Sequence, residues 1–299
     1  MGYPPRDMHA PLSPVVAGLW RLAKWSLTAE ALASWTDSVL DQGVDTFDLA
    51  DIYGSYTCEG LFGAALGRVP GLRERLRIVT KCDIKLVSPQ RPAHTRHAYD
   101  TSRAHILASV ENSLRALGTD RIDLLLLHRQ DPLMDPQEVA SAFDALHTSG
   151  KVLTFGVSNF TPAHLAMLAS YTRQPLVTNQ VEASLVHLDP LRDGTFDQCL
   201  ERRIRPMAWS PLGGGRLFQP DHPVALRVQP VLQRLAEARG VAPETIAYAF
   251  LLRHPARPHP ITGTQRVDRI VAAVAALQLE LTREEWFDLY CAASGAPLP

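Results

Sequence analysis

The sequence predicts an α/β protein, a (β/α)8 TIM barrel built as a single domain over residues 1–299, and three observations predict it. Eight short apolar runs, each the length of a buried strand, alternate with amphipathic stretches of helical period. No Gly-x-Gly-x-x-Gly stands between the first run and the first helix, so the doubly wound dinucleotide fold lacks its main signature. No shift in composition marks an internal boundary, and barrels of this length commonly form one domain.

Taken in order, the strands of the first half are VVAGLW (15–20), VDTFDL (44–49), RIVTKC (77–82) and IDLLLLH (122–128). Those of the second half are TFGVSNF (154–160), LVTNQVE (176–182), RPMAWS (205–210) and HPITGT (259–264). Helices are expected between and after them over 28–42, 59–68, 102–117, 136–148, 162–170, 191–202, 226–239, 243–253 and 267–277. Thr28 caps the first helix, and Thr161-Pro162 supplies a cap followed by proline at the first helical position. Gly43, Gly118, Gly150 and Gly240 follow helical segments, where a left-handed residue is wanted. Residues 1–13 are polar and proline-rich, and are expected to be loosely ordered. They resemble neither a secretory signal nor a basic transit peptide.

Composition narrows the function classes. The chain is 46% hydrophobic and 20% charged with a formal net charge of −1, which gives no electrostatic case for nucleic acid or an anionic membrane. No apolar run approaches the ~20 residues needed to span a bilayer. Cys58, Cys82, Cys199 and Cys291 are widely spaced with no Cys-x-x-Cys pair, which argues against structural zinc or a disulfide framework and for a cytoplasmic protein. His94, His97 and His105 have no carboxylate or cysteine at a helpful spacing, so no metal is expected.

In a closed barrel of this kind, reactive groups gather at the C-terminal ends of the strands. That edge carries Asp48, Lys81, His128, Ser158-Asn159, Gln180, Trp209-Ser210 and Thr264, with Tyr53 just beyond the second strand. Each has an ordinary explanation alone: a turn aspartate, a rim tyrosine, a solvated lysine, a core histidine. Their occurrence together at successive strand ends fits carbonyl reduction. Hydride addition to C=O leaves an alkoxide that needs a proton, and a phenol of pKa near ~10 donates poorly unless its phenolate is stabilised. Lys81 beside Tyr53 would lower the phenol toward the working range, Asp48 would hold the lysine charged, and His128 would orient the carbonyl oxygen.

These residues lie in motifs that resemble the aldo-keto reductase family. FDLADIYG is similar to its Asp…Tyr signature, IVTKC to its lysine strand, LLLLHRQDP to its histidine strand and GVSNF to its cofactor strand. Within the family, HRQDPLMD, GKVLTFGVSNFTPAH, RPMAWSPLGGGRLF and TREEWF resemble the bacterial YdhF-like oxidoreductases. The resemblance implies an NAD(P)H cofactor stretched across the barrel mouth and an aldehyde or ketone substrate. Ser158, Asn159 and Gln180 would then meet the nicotinamide carboxamide, Trp209 would stack on the ring, and Gly18 and Trp20 would border it. Ser210, Pro211, Leu212, Gly213 and Gly214 would admit the pyrophosphate, and the segment 216–230 would fold over it. At the adenosine end, Gln265 and Gly263 stand where relatives often carry cations, and Ala272 and Ala273 where they carry Glu and Asn. Thr264 and Arg269 remain to hold a 2′-phosphate, with Gln265 beside them, so NADP(H) is preferred and NAD(H) stays open. A short C-terminal tail, YCAASGAPLP, implies an open, tolerant mouth.

Two rivals stand beside the reductase. One is a nucleotide-binding partner protein of the channel β-subunit type with little turnover; the other is a Schiff-base aldolase acting through Lys81. Filled catalytic positions favour turnover, and the aldolase leaves Tyr53, Gln180 and Trp209 without a joint purpose.

Overall fold

Each predicted apolar run forms a strand in the computed structural model, which describes residues 12–299. In chain order the elements are β1 (Val16–Gly18), α1 (Ala29–Leu40), β2 (Thr46–Asp48), α2 (Cys58–Leu66), β3 (Arg77–Cys82), β4 (Ile84–Lys85), β5 (Ala98–Tyr99) and α3 (Arg103–Leu117). There follow β6 (Ile122–Leu127), α4 (Pro136–Thr148), β7 (Val152–Ser158), α5 (Pro162–Tyr171), β8 (Leu176–Glu182), α6 (Thr195–Glu201) and β9 (Met207–Trp209). The last are α7 (Pro223–Arg239), α8 (Pro243–Arg253), β10 (His259–Thr262), α9 (Val267–Ala275) and α10 (Arg283–Ser294). Eight strands close a parallel barrel in the order β1-β10-β9-β8-β7-β6-β3-β2, and β4 and β5 form a separate antiparallel pair.

Local chemistry sets the helix ends. Thr28 Oγ1 accepts from Ala31 N at 3.2 Å, and Thr161 Oγ1 accepts from His164 N at 3.3 Å ahead of Pro162. Thr282 and Glu285 form a reciprocal capping box at the start of α10. Gly118 and Gly240 close α3 and α7 in the left-handed conformation.

Alternation along the strands decides what faces the barrel axis. Val16, Val79, Leu124, Leu126, Met207 and Ile261 form one buried cluster, with Trp209 packed against it. Successive strand side chains point to opposite faces, so the residues two positions on, Gly18, Lys81, His128 and Trp209, share the inward face at its upper end. Outside the barrel, a separate apolar layer packs strands on helices, with Phe143 stacked on Phe155 at 4.2 Å between ring centres. Closing the strands therefore brings strand-end polar groups together without any loop having to carry them.

Three departures from the sequence reading are local. The pair β4–β5 was not expected, because two-residue strands leave no periodic signal. The segment 216–230 is mostly ordered helix: α7 begins at Pro223, capped by His222 Nδ1, so only 219–222 lies between it and the short 3-10 helix Gly213–Phe218. The C-terminal tail is shorter still, since Tyr290 to Ser294 belong to α10 and Pro297 and Leu298 share a groove with Arg283, Phe287 and Cys291 on that helix. Of residues 1–13, 1–11 lie outside the described residues; Ser13 is buried and exchanges hydrogen bonds with Thr46, its backbone N donating to Oγ1 at 2.9 Å.

Candidate active site

Asp48 ends β2 and Lys81 sits one position before the end of β3, two hydrogen-bonded neighbours of the barrel. The lysine is fully buried and the aspartate 3% exposed. Lys81 Nζ donates to Asp48 Oδ1 and Oδ2 at 2.8 and 2.9 Å, to Leu49 O at 2.6 Å and to Tyr53 Oη at 3.1 Å. Burial alone would depress this ammonium, but the Asp48 charge and the contact with Tyr53 outweigh it and leave its pKa raised.

Tyr53 reaches that ammonium from the turn between β2 and α2. Its backbone N donates to Ala50 O at 3.1 Å, and its carbonyl accepts from Thr57 and Cys58. The next residue must be glycine: Gly54 has φ +57°, and a Cβ there would lie 2.7–2.8 Å from Thr57 Oγ1, Ala23 Cβ and Cys58 Sγ. The Tyr-Gly pair in the sequence is thus a tight turn that swings the ring inward, where Lys81 Nζ lies 4.8 Å from the ring centre. The phenol oxygen accepts from lysine and makes no other hydrogen bond among the described residues, so its own proton is free for a ligand.

One expectation is corrected here. The phenol pKa is raised, not lowered: desolvation by burial dominates, and Lys81 offsets only part of it while Asp48 adds to it. Tyr53 therefore holds its proton at neutral pH.

His128 follows β6 and faces Tyr53 edge-on, ring centres 5.9 Å apart and planes at 75°. Burial, then the charges of Lys81 and Arg129, hold its pKa well below the ordinary histidine value, so the ring is neutral. Its Nδ1 is buried without a partner among the described residues.

The neighbouring strand ends form a connected amide network. Asn159, in a left-handed conformation at φ 58°, donates from Nδ2 to His128 O at 3.3 Å and Ser158 Oγ at 2.9 Å. Its Oδ1 accepts from Trp209 Nε1 at 3.0 Å, its backbone N donates to Gln180 O at 2.9 Å, and its carbonyl accepts from Gln130. Gln180 Nε2 donates to Asp48 Oδ1 at 2.8 Å, joining the network to the Asp48–Lys81–Tyr53 group. The structure thus unites Asp48, Tyr53, Lys81, His128, Ser158, Asn159, Gln180 and Trp209.

The other predicted cofactor residues take separate places. Gly18 lies at the end of β1, where a Cβ would approach Ile261 Cγ2 to 2.7 Å, so strand packing already accounts for it. Trp20 is 60% exposed at the rim beneath the Arg21 guanidinium. Ser210, Pro211, Leu212, Gly213 and Gly214 continue from β9, and Arg21 Nη2 donates to Gly214 O at 3.4 Å across to the β1 side. Gly214 and Gly215 are left-handed and exposed, with no side chain nearer than 3.7 Å to a Cβ built at Gly214. Thr264, Gln265 and Arg269 lie apart, after β10: Gln265 O accepts from Trp35 Nε1 at 2.8 Å, and Thr264 Oγ1 accepts from Arg266 N at 3.1 Å. Arg266 is ion-paired with Asp268, whereas Arg269 is exposed and unpaired among the described residues.

A reduced nicotinamide dinucleotide fits this donor set in part. Ser158 Oγ and both polar ends of the Asn159 side chain are engaged within the protein, whereas Gln180 Oε1 accepts no hydrogen bond among the described residues. A carboxamide N–H has an acceptor there, and the open Gly214–Gly215 backbone leaves room for phosphate.

Sequence reasoning missed a layer of buried acids beside the reactive groups. Asp51 and Asp83 each bury an Oδ1 without a hydrogen-bond partner, and burial drives both carboxyls well above the usual range. Glu59 is raised too, by burial working against hydrogen bonds from Thr80 and Ser113. Cys82, next to Lys81, is pushed well up by burial and then by Asp83, so it is a buried thiol rather than a nucleophile. Only Asp51, inside the FDLADIYG motif, carried any sequence signal. Of the three histidines weighed as metal ligands, His94 bonds Tyr56 Oη at 3.3 Å and Leu86 O at 3.2 Å, and His105 Nε2 meets Ser109 Oγ at 3.4 Å.

Comparison with known proteins places the chain in a family. The profile of the Aldo/keto reductase family matches residues 14–290. The chain is 50% identical over 288 residues to oxidoreductase YdhF of Escherichia coli (strain K12), covering 95% of this chain and 94% of that protein. It is 44% identical over 285 residues to a 6-dehydroglucose reductase of Agrobacterium fabrum, covering 95% of each. A crystal structure of a thermostable aldo-keto reductase in complex with the inhibitor epalrestat superposes with a TM-score of 0.79 at 27% identity, over 98% of this chain and 100% of that one.

Proposed function

Because the chain belongs to the aldo/keto reductase family, a family of oxidoreductases acting on small carbonyl compounds with NAD(P)H, we propose that it reduces an aldehyde or ketone at the Asp48–Tyr53–Lys81–His128 group, using NADPH. What carries the reading is the contact of Lys81 Nζ with Tyr53 Oη at 3.1 Å, with Asp48 holding the ammonium from behind.

Bound at the strand ends, the reduced nicotinamide supplies the hydride for the carbonyl carbon. The chain's own groups manage the oxygen. Tyr53 receives a hydrogen bond from Lys81, so its O–H points away from the lysine and donates to the carbonyl oxygen. As negative charge grows there, the phenol proton moves to it, and Lys81 stabilises the phenolate left behind. Asp48 keeps Lys81 cationic in a site where burial alone would discharge it. His128, neutral, orients the same oxygen as an uncharged donor.

Arg269 supports NADPH over NADH, as an unpaired cation at the adenosine end. The 6-dehydroglucose reductase relative brings a sugar-derived aldehyde forward as a substrate class. The aldolase alternative loses support, because a fully buried lysine kept charged by Asp48 is a poor Schiff-base nucleophile.

The test is Tyr53→Phe, followed by NADPH absorbance over a panel of aldehydes and ketones. The variant retains the ring, so NADPH binding by tryptophan quenching should persist while turnover falls by about 10²–10⁴-fold. Equal turnover by both proteins would refute Tyr53 as the acid.

A further inference from the structure

Arg129 is the residue that the reaction described above leaves without a role. It follows His128 directly at the mouth of the barrel, and its backbone is pinned on both sides. His128 N donates to Cys82 O at 3.0 Å, Arg129 N donates to Asp83 Oδ2 at 3.1 Å, and Gln130 Nε2 donates to Asn159 O at 2.9 Å. The residue is half-buried, yet its guanidinium makes no hydrogen bond or ion pair among the described residues. Other half-buried cations do have partners: Arg73 has Asp123, Lys85 has Asp100 and Arg216 has Glu182, while Arg91 donates to Gln90 O.

The nearest acids do not supply one. Asp83 spends an oxygen on the Arg129 backbone, and burial drives its carboxyl well above the usual carboxylate range. Asp131 is taken by Thr101 N and Oγ1 and by Leu133 N. Arg129 adjoins His128 at the C-terminal end of β6, on the rim where Asp48, Lys81 and Tyr53 also meet, and its charge acts on both the Tyr53 hydroxyl and the His128 ring. A guanidinium partly withdrawn from water and without a protein partner keeps its donors available to a ligand oxygen.

We propose that Arg129 selects the substrate: its guanidinium receives an oxygen borne by the carbon chain a few bonds from the reacting C=O, a carboxylate being the form its charge and fork geometry favour. The inference rests on the reductase reading and names the substrate class within it. Aldehydes with an oxygen-bearing substituent are preferred to alkyl aldehydes of equal length, and Arg129 causes the preference.

The experiment measures kcat/KM with NADPH for two pairs, succinic semialdehyde against butanal and glyceraldehyde against propanal, in the wild type, Arg129→Gln and Arg129→Lys. A charged hydrogen bond of ordinary strength predicts a wild-type ratio of about 10–100 within a pair, collapsing toward unity in Arg129→Gln and partly restored in Arg129→Lys. Collapse in the first pair identifies a carboxylate, and collapse in the second alone identifies a hydroxyl; either supports the proposal. A ratio unchanged by the substitution in both pairs overturns it, as does an equal fall for all four compounds, which would mark Arg129 as acting only through Tyr53 and His128. Unfolding midpoints of the variants separate a folding defect from lost recognition. If the wild type reduces none of the four, the reductase reading itself fails; if it reduces them without regard to Arg129, only this inference does.

Discussion

Replacing Asp48 by asparagine probes the buried ion pair more directly than any activity assay. The substitution keeps the shape but removes the charge that faces Lys81 Nζ at 2.8 and 2.9 Å, in a site where the lysine is fully buried. Breaking a buried pair from one side costs about 3–5 kcal/mol, since an uncompensated ion stays behind. The pH dependence identifies the cause. In the wild type the lysine pKa is raised, so its stabilising contribution is present below the unfolded value of ~10.4 and is lost only as pH rises through the higher folded value. In Asp48→Asn the largest remaining influence is burial, which drives the folded pKa below ~10.4; the folded state then binds fewer protons than the unfolded one, and stability rises with pH across that window. Urea denaturation of both proteins should give a deficit of about 3–5 kcal/mol near pH 7 that shrinks by at least ~1 kcal/mol near pH 9.5. A deficit below about 1 kcal/mol, or one constant with pH, would refute the claim that a charged, buried Lys81 depends on Asp48.

Two further outcomes follow from groups away from that pair. His259, 4% exposed at the start of β10 with Nδ1 2.9 Å from Ser13 O, has its pKa lowered to about 3 by burial and then by Arg205. Its folded state refuses the proton that the unfolded chain takes up below ~6.5, so stability should fall by up to ~1.4 kcal/mol per pH unit below that point. Over the interval from ~6.5 to ~5, His259→Gln should lose about 2 kcal/mol less than wild type, by urea denaturation; parallel losses would place the acid sensitivity elsewhere. At the adenosine end, Arg269→Ala should raise the KM for NADPH about tenfold while leaving that for NADH nearly unchanged, because Arg266 is already committed to Asp268. A common shift for both nucleotides would remove Arg269 from the 2′-phosphate assignment.

The fold was legible because alternation and strand length survive without tertiary context: all eight barrel strands lie within two residues of the runs that predict them. The grouping of Lys81 and His128 at one mouth was legible for the same reason, since they lie two residues beyond the inward-facing Val79 and Leu126. The direction of the Tyr53 pKa was not, because desolvation depends on everything packed around a hydroxyl, while sequence exposes only the neighbouring charge. Nor was the partner of Gln180 legible: it finds Asp48 across 132 positions of chain, a pairing that barrel closure alone creates. The helix Arg283–Ser294 did carry a signal, the Thr282-to-Glu285 capping box, within a stretch read only as a motif and a tail.

The side chain of Asn159 has a consequence beyond its list of bonds. Held left-handed at the end of β7, it ties the carbonyl of His128 to the indole of Trp209 through one rigid amide. Movement of the Trp209 indole therefore loads a link that ends on the main chain of His128, so the ends of β6 and β9 shift together or break it.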